Sequence, residues 1–234
     1  MKAYRLVAPW SLLALSFVSA RADQGPRVSK FGEYQGYSPS RYDSFLRESV
    51  YITVKDGTRI AVDIFRPAVG GVVASERLPV ALNVTRYWRS SELEDGSIAT
   101  MPGLIEAGKK GGPLLDPAEY RSERGSAVMA SELLRHGYII VAMDSRGTGA
   151  SYGVQTPLLA TEADDMTQVI EWSAAQPWST DKVGMFGASW PGIIQLIAAM
   201  AKPAKLAAIF PSVPNFPDFY RIFRSSECSA KARR

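Results

Sequence analysis

The residues best placed to do chemistry lie in the stretch Val183-Gly184-Met185-Phe186-Gly187-Ala188-Ser189-Trp190-Pro191-Gly192. A short apolar run ends in small residues, Ser189 follows, and a mostly apolar segment from Ile193 to Met200 takes over. That pattern predicts a buried strand, a sharp turn and a helix, with Ser189 at the apex and its hydroxyl exposed above a sheet edge. A serine so placed can attack an acyl carbonyl if a base takes its proton and preorganised donors hold the oxyanion. Pro191 stands where the general G-x-S-x-G turn has its second glycine, and Gly192 comes one residue later. Proline is tolerated there, because a first-turn N–H has no acceptor within the helix.

Other stretches also hold residue types that could do chemistry. Asp144-Ser145-Arg146-Gly147-Thr148-Gly149-Ala150-Ser151-Tyr152-Gly153 is glycine-rich, as phosphate-binding loops are. It has no Gly-Lys-Ser/Thr and does not meet the dinucleotide spacing, so it reads as a turn-rich loop. Asp144 and Arg146 are expected to brace that loop by charge-assisted hydrogen bonds. Glu162, Asp164 and Asp165 open a helical pattern, where acids complement the macrodipole and their role is structural. Cys228 is the only cysteine and His136 the only histidine, which argues against a disulfide within the chain and against a zinc site.

The elements that must position Ser189 follow from periodicity. Val50, Ile52 and Val54 alternate, as do Ile60, Val62 and Ile64, and Asp56-Gly57 between them predicts a type I′ hairpin ending at Pro67. Leu78 to Val84 and Tyr138 to Met143 are nearly continuous apolar runs, the pattern of strands buried on both faces. Asn83-Val84-Thr85 is formally a glycosylation sequon, discounted because it falls inside a buried strand. Arg86-Tyr87-Trp88-Arg89 follows at that strand's end, and 90–115 reads as a long loop. A helix is predicted from Asp116-Pro117, with a break near Gly125, to Arg135-His136, capped by Gly137. A second helix starts near Glu162, the strand into Ser189 starts after an Asp181-Lys182 turn, and a last strand spans Leu206 to Phe210. Strands alternating with helices, after an antiparallel hairpin, predict an α/β fold with a mostly parallel sheet covered by helices on both faces.

The chain has 234 residues, enough for one or two domains and a sizeable core. The net charge of +4 comes partly from the tail, and no basic stripe interleaved with aromatics is present, so nucleic acid is not an expected partner. Lys2 and Arg5 precede an apolar stretch from Leu6 to Val18, and Ala20-Arg21-Ala22 offers a small-x-small cleavage site. This reads as a signal peptide, which predicts a secreted or periplasmic protein. The apolar stretch is shorter than the ~20 residues of a membrane span, and no later segment is long enough.

Four stretches together resemble the Xaa-Pro dipeptidyl-peptidase-like serine hydrolases, the cocaine esterase-like (CocE/NonD) group. They are the Asp56-Gly57 hairpin with Ile60 to Pro67, the Thr85-Arg86-Tyr87 strand end, the loop from Asp144 to Gly153, and Glu162 through Gly192. The resemblance covers roughly residues 50–220 and implies an α/β-hydrolase fold and hydrolysis of an ester or amide through an acyl-serine intermediate. It also implies neither metal nor organic cofactor. Carried over by position, Ser189 is the implied nucleophile, Trp190 N–H one oxyanion donor and the Tyr87 hydroxyl the second. The implied substrate is a small ester, an amide or a peptide.

The acid and base are harder to place. The triads of this fold run serine, acid, histidine along the chain. After Ser189 the sequence offers Asp218 and Glu227 as acids and no histidine. His136 is expected at a helix end, near the opposite edge of the sheet from Ser189. The expected organisation is a signal peptide at 1–22, an irregular segment at 23–44, a C-terminally truncated α/β-hydrolase domain at 45–222 and a disordered basic tail at 223–234. The tail shows no likeness to the group, so a truncated or mis-spliced product is expected, with little activity. The alternative is a non-catalytic fragment acting as a binding or interaction module, with an exposed sheet edge that seeks a partner.

Overall fold

The computed structural model describes residues 38–100, 111–114, 125–155 and 159–214, together with three short strands elsewhere. Residues 1–37 and 38–234 form separate units. In the first, β1 (Ser29–Lys30) and β2 (Glu33–Tyr34) pair antiparallel within the segment expected to be irregular.

The second unit holds the remaining elements. They are β3 (Ser44–Thr53), β4 (Arg59–Val69), β5 (Val72–Val73), β6 (Leu78–Thr85), β7 (Ser90–Glu92), β8 (Ile98–Thr100), β9 (Ile105–Glu106) and β10 (Gly111–Pro113). Then come α1 (Gly125–Arg135), β11 (Ile139–Asp144), α2 (Leu159–Ala174), β12 (Ser179–Ala188), α3 (Trp190–Ala201) and β13 (Leu206–Ser212). The main sheet has the order β10-β3-β4-β11-β6-β12-β13, with β5 paired to β4. From β11 to β13 all neighbours are parallel, and β3, β4 and β10 pair antiparallel on the other side.

Helices cover both faces, as expected. β11 shows how a continuous apolar run serves two cores. Ile139, Val141 and Met143 face a cluster with Met166 and Ile170 of α2 and Ile194 and Ile197 of α3. Ile140 and Ala142 face the other side, against Ala130 and Leu134 of α1 and against Phe45, Phe65 and Phe186. Each fully buried side chain of this size stabilises the fold by about 1.5–3 kcal/mol. Asn83 is buried in β6 and donates from Nδ2 to the Phe186 carbonyl at 3.0 Å, so its amide is not open to a glycan.

Several expectations need correction. The Asp56-Gly57 turn is not type I′. Only Gly57 has positive φ, at 85°, and Gly57 N–H donates to the Val54 carbonyl while Val54 N–H donates to the Thr58 carbonyl. This is a three-residue loop, a type I turn closed by a left-handed glycine. Asp56 stays out of the left-handed region because its Oδ1 accepts Thr58 N–H at 3.0 Å. The segment 90–115 is not one long loop. β7, β8 and β9 form a small antiparallel sheet, and β10 pairs with β3. Its first turn repeats the same device, with Gly96 at φ 77° and Gly96 N–H donating to the Leu93 carbonyl. Helix α2 begins three residues before Glu162, and β12 begins at Ser179, with a register shift before Val183 that absorbs Asp181 at φ 69°. The helix start at Asp116-Pro117, the leader at 1–22 and the tail at 223–234 lie outside the described residues. Among the described residues no helix is long and apolar enough to cross a membrane.

Candidate active site

Ser189 sits between the end of β12 and the start of α3, exposed, with φ 60° and ψ −121°. A residue with a side chain rarely holds such a backbone, and doing so costs about 1–3 kcal/mol. The neighbours make the turn possible. A Cβ on Gly187, which has φ 140°, would lie 2.5 Å from Pro191 Cβ and 2.7 Å from Asn83 Nδ2. A Cβ on Gly192 would lie 2.6 Å from the Ser212 carbonyl oxygen. The second close approach therefore falls at Gly192, and Pro191 occupies the position ordinarily given to that glycine without disturbing the turn. Ser189 N–H donates to the Ser212 carbonyl at 3.1 Å, and Gly192 and Ile193 N–H both donate back to the Ser189 carbonyl. Trp190 N–H, at the open end of α3, has no hydrogen-bond partner among the described residues. It is available to a ligand oxygen, and the dipole of α3 adds positive potential there.

Tyr87 lies just beyond β6, which is the parallel neighbour of β12 with Leu82 opposite Met185. It is 52% exposed, and its backbone N–H is fixed by the Thr85 hydroxyl at 3.0 Å. Both strands end at the same edge, so Tyr87 and Ser189 stand on adjacent strand ends. His136 stands elsewhere. It follows α1 and precedes β11, which runs parallel to β6, so it lies at the opposite edge from Ser189. There its Nδ1 contacts the Ser38 carbonyl and its Nε2 lies 3.5 Å from Glu132.

The turn carrying Tyr87 is held by charges that the sequence reading passed over. Arg89 lies 3.1 Å from Asp63 and 2.9 Å from Asp144, both fully buried. Asp63 is further bound by Ser49 and Arg47, and Asp144 accepts Ala150 N–H at 2.9 Å. Burial alone would lower the Arg89 pKa, but the charges of the two carboxylates outweigh it and raise the pKa above its ordinary value. An aspartate inside an apolar strand, at Asp63 in Val62-Asp63-Ile64-Phe65, was the available signal. Next to it, Arg146 binds Asp165 through two nitrogens at 2.8 and 2.6 Å and reaches Asp56 at 2.7 Å. Arg146 and Asp144 thus tie the glycine-rich loop to the hairpin and to α2, in the bracing role expected of them.

Glu162 also departs from a plain dipole role. It is buried, and burial pushes its carboxyl pKa above the ordinary range, against the pull of Arg86 and with help from Asp165. Arg86 in turn stacks on the Trp190 indole, its guanidinium carbon 3.1 Å from the ring centre. No group of three or more histidine, cysteine, aspartate or glutamate side chains could hold a metal ion among the described residues.

The X-Pro dipeptidyl-peptidase (S15) family matches residues 56–232. The cocaine esterase of Rhodococcus sp. is 30% identical over 176 residues, covering 75% of this chain and 25% of that protein. A Mycobacterium bovis protein with the provisional name serine esterase is 34% identical over 153 residues, covering 65% of this chain and 22% of its own length. The chain thus spans about a quarter of each of these relatives. A CocE/NonD family hydrolase of Staphylococcus aureus superposes with a TM-score of 0.51 at 25% identity, over 71% of this chain and 27% of that one. The sheet, its antiparallel hairpin and its helical layers are those of an α/β hydrolase. On its sequence match and its fold, the chain belongs to the X-Pro dipeptidyl-peptidase (S15) family of hydrolases.

Proposed function

We propose that this chain carries the nucleophile and the oxyanion donors of an acyl-serine hydrolase acting on an ester or amide bond. The Ser189 hydroxyl attacks the acyl carbonyl, Trp190 N–H and the Tyr87 hydroxyl receive the oxyanion, and the alcohol or amine departs to leave an acyl-serine. Water then releases the acid. The observation that carries this reading is the backbone of Ser189, strained at φ 60° and ψ −121° and followed by an unpaired N–H at a helix start. Each well-placed donor lowers the barrier by about 3 kcal/mol. The names of the relatives, an esterase and a dipeptidyl-peptidase family, support the same bond classes.

These 234 residues place no histidine at the Ser189 edge to take the proton. Their only histidine is at the far edge of the sheet, and a serine without a base stays protonated. The chain by itself is therefore a slow catalyst, limited to about 10³–10⁴-fold over water. Initial rates with a simple aryl acetate, for the chain and for Ser189→Ala, test this. The expected result is a small Ser189-dependent rate. Turnover at about 1–10³ s⁻¹ would contradict it, as would a rate unchanged by Ser189→Ala. The leader-like segment at 1–22 supports export as the setting.

One observation favours a second reading, an interaction module. The outer edge of β13 pairs with no strand among the described residues, and Met200, Phe210 and Val213 nearby are exposed. Loss of the Ser189-dependent rate together with tight self-association would favour it.

A further inference from the structure

The two arginines that flank Tyr87 are held in different ways. Arg89 is taken up by the buried carboxylates of Asp63 and Asp144. Arg86 points its charge at the neighbouring strand end, where its guanidinium lies 3.1 Å from the centre of the Trp190 ring. Its Nε is buried and has no hydrogen-bond partner. Burying a guanidinium donor without an acceptor is costly, and the π face of an indole is the group that offsets it here. Glu162 is close enough to feel the Arg86 charge, yet no ion pair joins the two.

Trp190 is held from the other side by the core. Its ring is buried in the same cluster as Met166, Ile170, Ile193 and Ile194, and its own Nε1 has no partner. Polar contacts of the side chain therefore do not fix it. Packing holds it on one side and the Arg86 guanidinium on another. The residues on either side of this contact matter most. Arg86 immediately precedes Tyr87, and the Trp190 N–H is the peptide that follows Ser189. One stack thus joins the two chain segments that carry both candidate oxyanion donors.

We propose that Arg86 is a positioning residue for the oxyanion hole. By stacking on Trp190 it fixes the first turn of α3 against the end of β6 and sets the spacing between Trp190 N–H and the Tyr87 hydroxyl. The proposal rests on the reading of Ser189 as nucleophile, and its test separates the two.

The test is slow phosphonylation by a fluorophosphonate, followed by intact mass. Ser189 Oγ bonds to phosphorus, fluoride leaves and the hydroxyl proton passes to buffer. Arg86→Gln is expected to slow the reaction about tenfold, the effect of losing one half-buried cation–π contact, with Arg86→Lys in between. In a Trp190→Ala background, Arg86→Gln should change the rate by less than about twofold, because a residue acting through a partner has no effect once the partner is gone. Labelling of Arg86→Gln at the wild-type rate overturns the proposal, and so does a full tenfold loss in the Trp190→Ala background.

A second measurement does not depend on reactivity. The backbone amide cross-peak of Trp190 should shift or broaden in Arg86→Gln while that of Val169, within α2, stays in place. An unmoved Trp190 cross-peak overturns the proposal. Should Arg86→Gln lose the fold, seen as collapse of the Val169 signal, Arg86→Lys carries the same comparison. If the wild-type chain forms no adduct at all, the nucleophile reading falls, and the cross-peak alone decides whether Arg86 fixes the first turn of α3.

Discussion

At Ser189, conformation and chemistry come from the same constraint. The turn exposes the hydroxyl by forcing a side-chain-bearing residue into positive φ, and its neighbours must be small to let the chain close. Gly187→Ala puts a methyl against Pro191 and Asn83 at a φ of 140°. We expect it to destabilise the chain by about 2–4 kcal/mol, read as a lowered urea midpoint at unchanged m-value. Glu162 gives a pH-dependent counterpart. Its folded pKa lies above its ordinary value of 4.5, chiefly through burial. Its contribution is therefore fully present below that value and lost as pH rises through the folded pKa. Glu162→Gln should then match the wild type in unfolding midpoint at pH 4 and exceed it at pH 7. An equal difference at both pH values would contradict this. Of these residues, Ser189 was legible because glycines and an apolar helix flank it. Arg86 was not, because its partner is a tryptophan over a hundred residues away and nothing local marks the contact.

At the scale of elements, the strand ends are held by charge where they cannot be held by packing. Arg89 ties the turn after β6 to β4 and β11, and Arg146 ties the loop after β11 to the β3–β4 hairpin and to α2. Arg89→Leu leaves Asp63 and Asp144 buried without their shared cation. The expected cost is about 3–5 kcal/mol, measured by equilibrium unfolding, whereas a cost under about 1 kcal/mol would mean that Arg47 and Ser49 suffice. The buried strands were legible from their apolar runs, and the Asp-Gly dipeptide marked a real hairpin. Its conformation was not, since a type I turn with a left-handed glycine uses the same two residues as type I′. The β7–β9 sheet was missed for a different reason. Strands of two or three residues are too short to show a period, although Asp95-Gly96 carried the same turn signal as Asp56-Gly57.

At the scale of the molecule, four parallel strand ends gather Tyr87, Asp144, Ser189 and Ser212 along one edge. Two cores, one on each face, pack the sheet behind that edge. The order of strands could not be read from the sequence, because a run buried on both faces carries no sign of which neighbour it will take. What could be read was the class of fold, which the match to the S15 family over residues 56–232 supports, and the sharp turn that holds Ser189. The chain spans about a quarter of the relatives it resembles, and the reading proposed for it puts a nucleophile and donors at the sheet edge opposite its one histidine. Every step proposed at this edge requires Ser189 to be that nucleophile. Peptide mapping after prolonged exposure to excess fluorophosphonate tests it most directly. One slow phosphonyl adduct is expected, on Ser189, and it is absent from Ser189→Ala. An adduct on any other serine, or none, would contradict it.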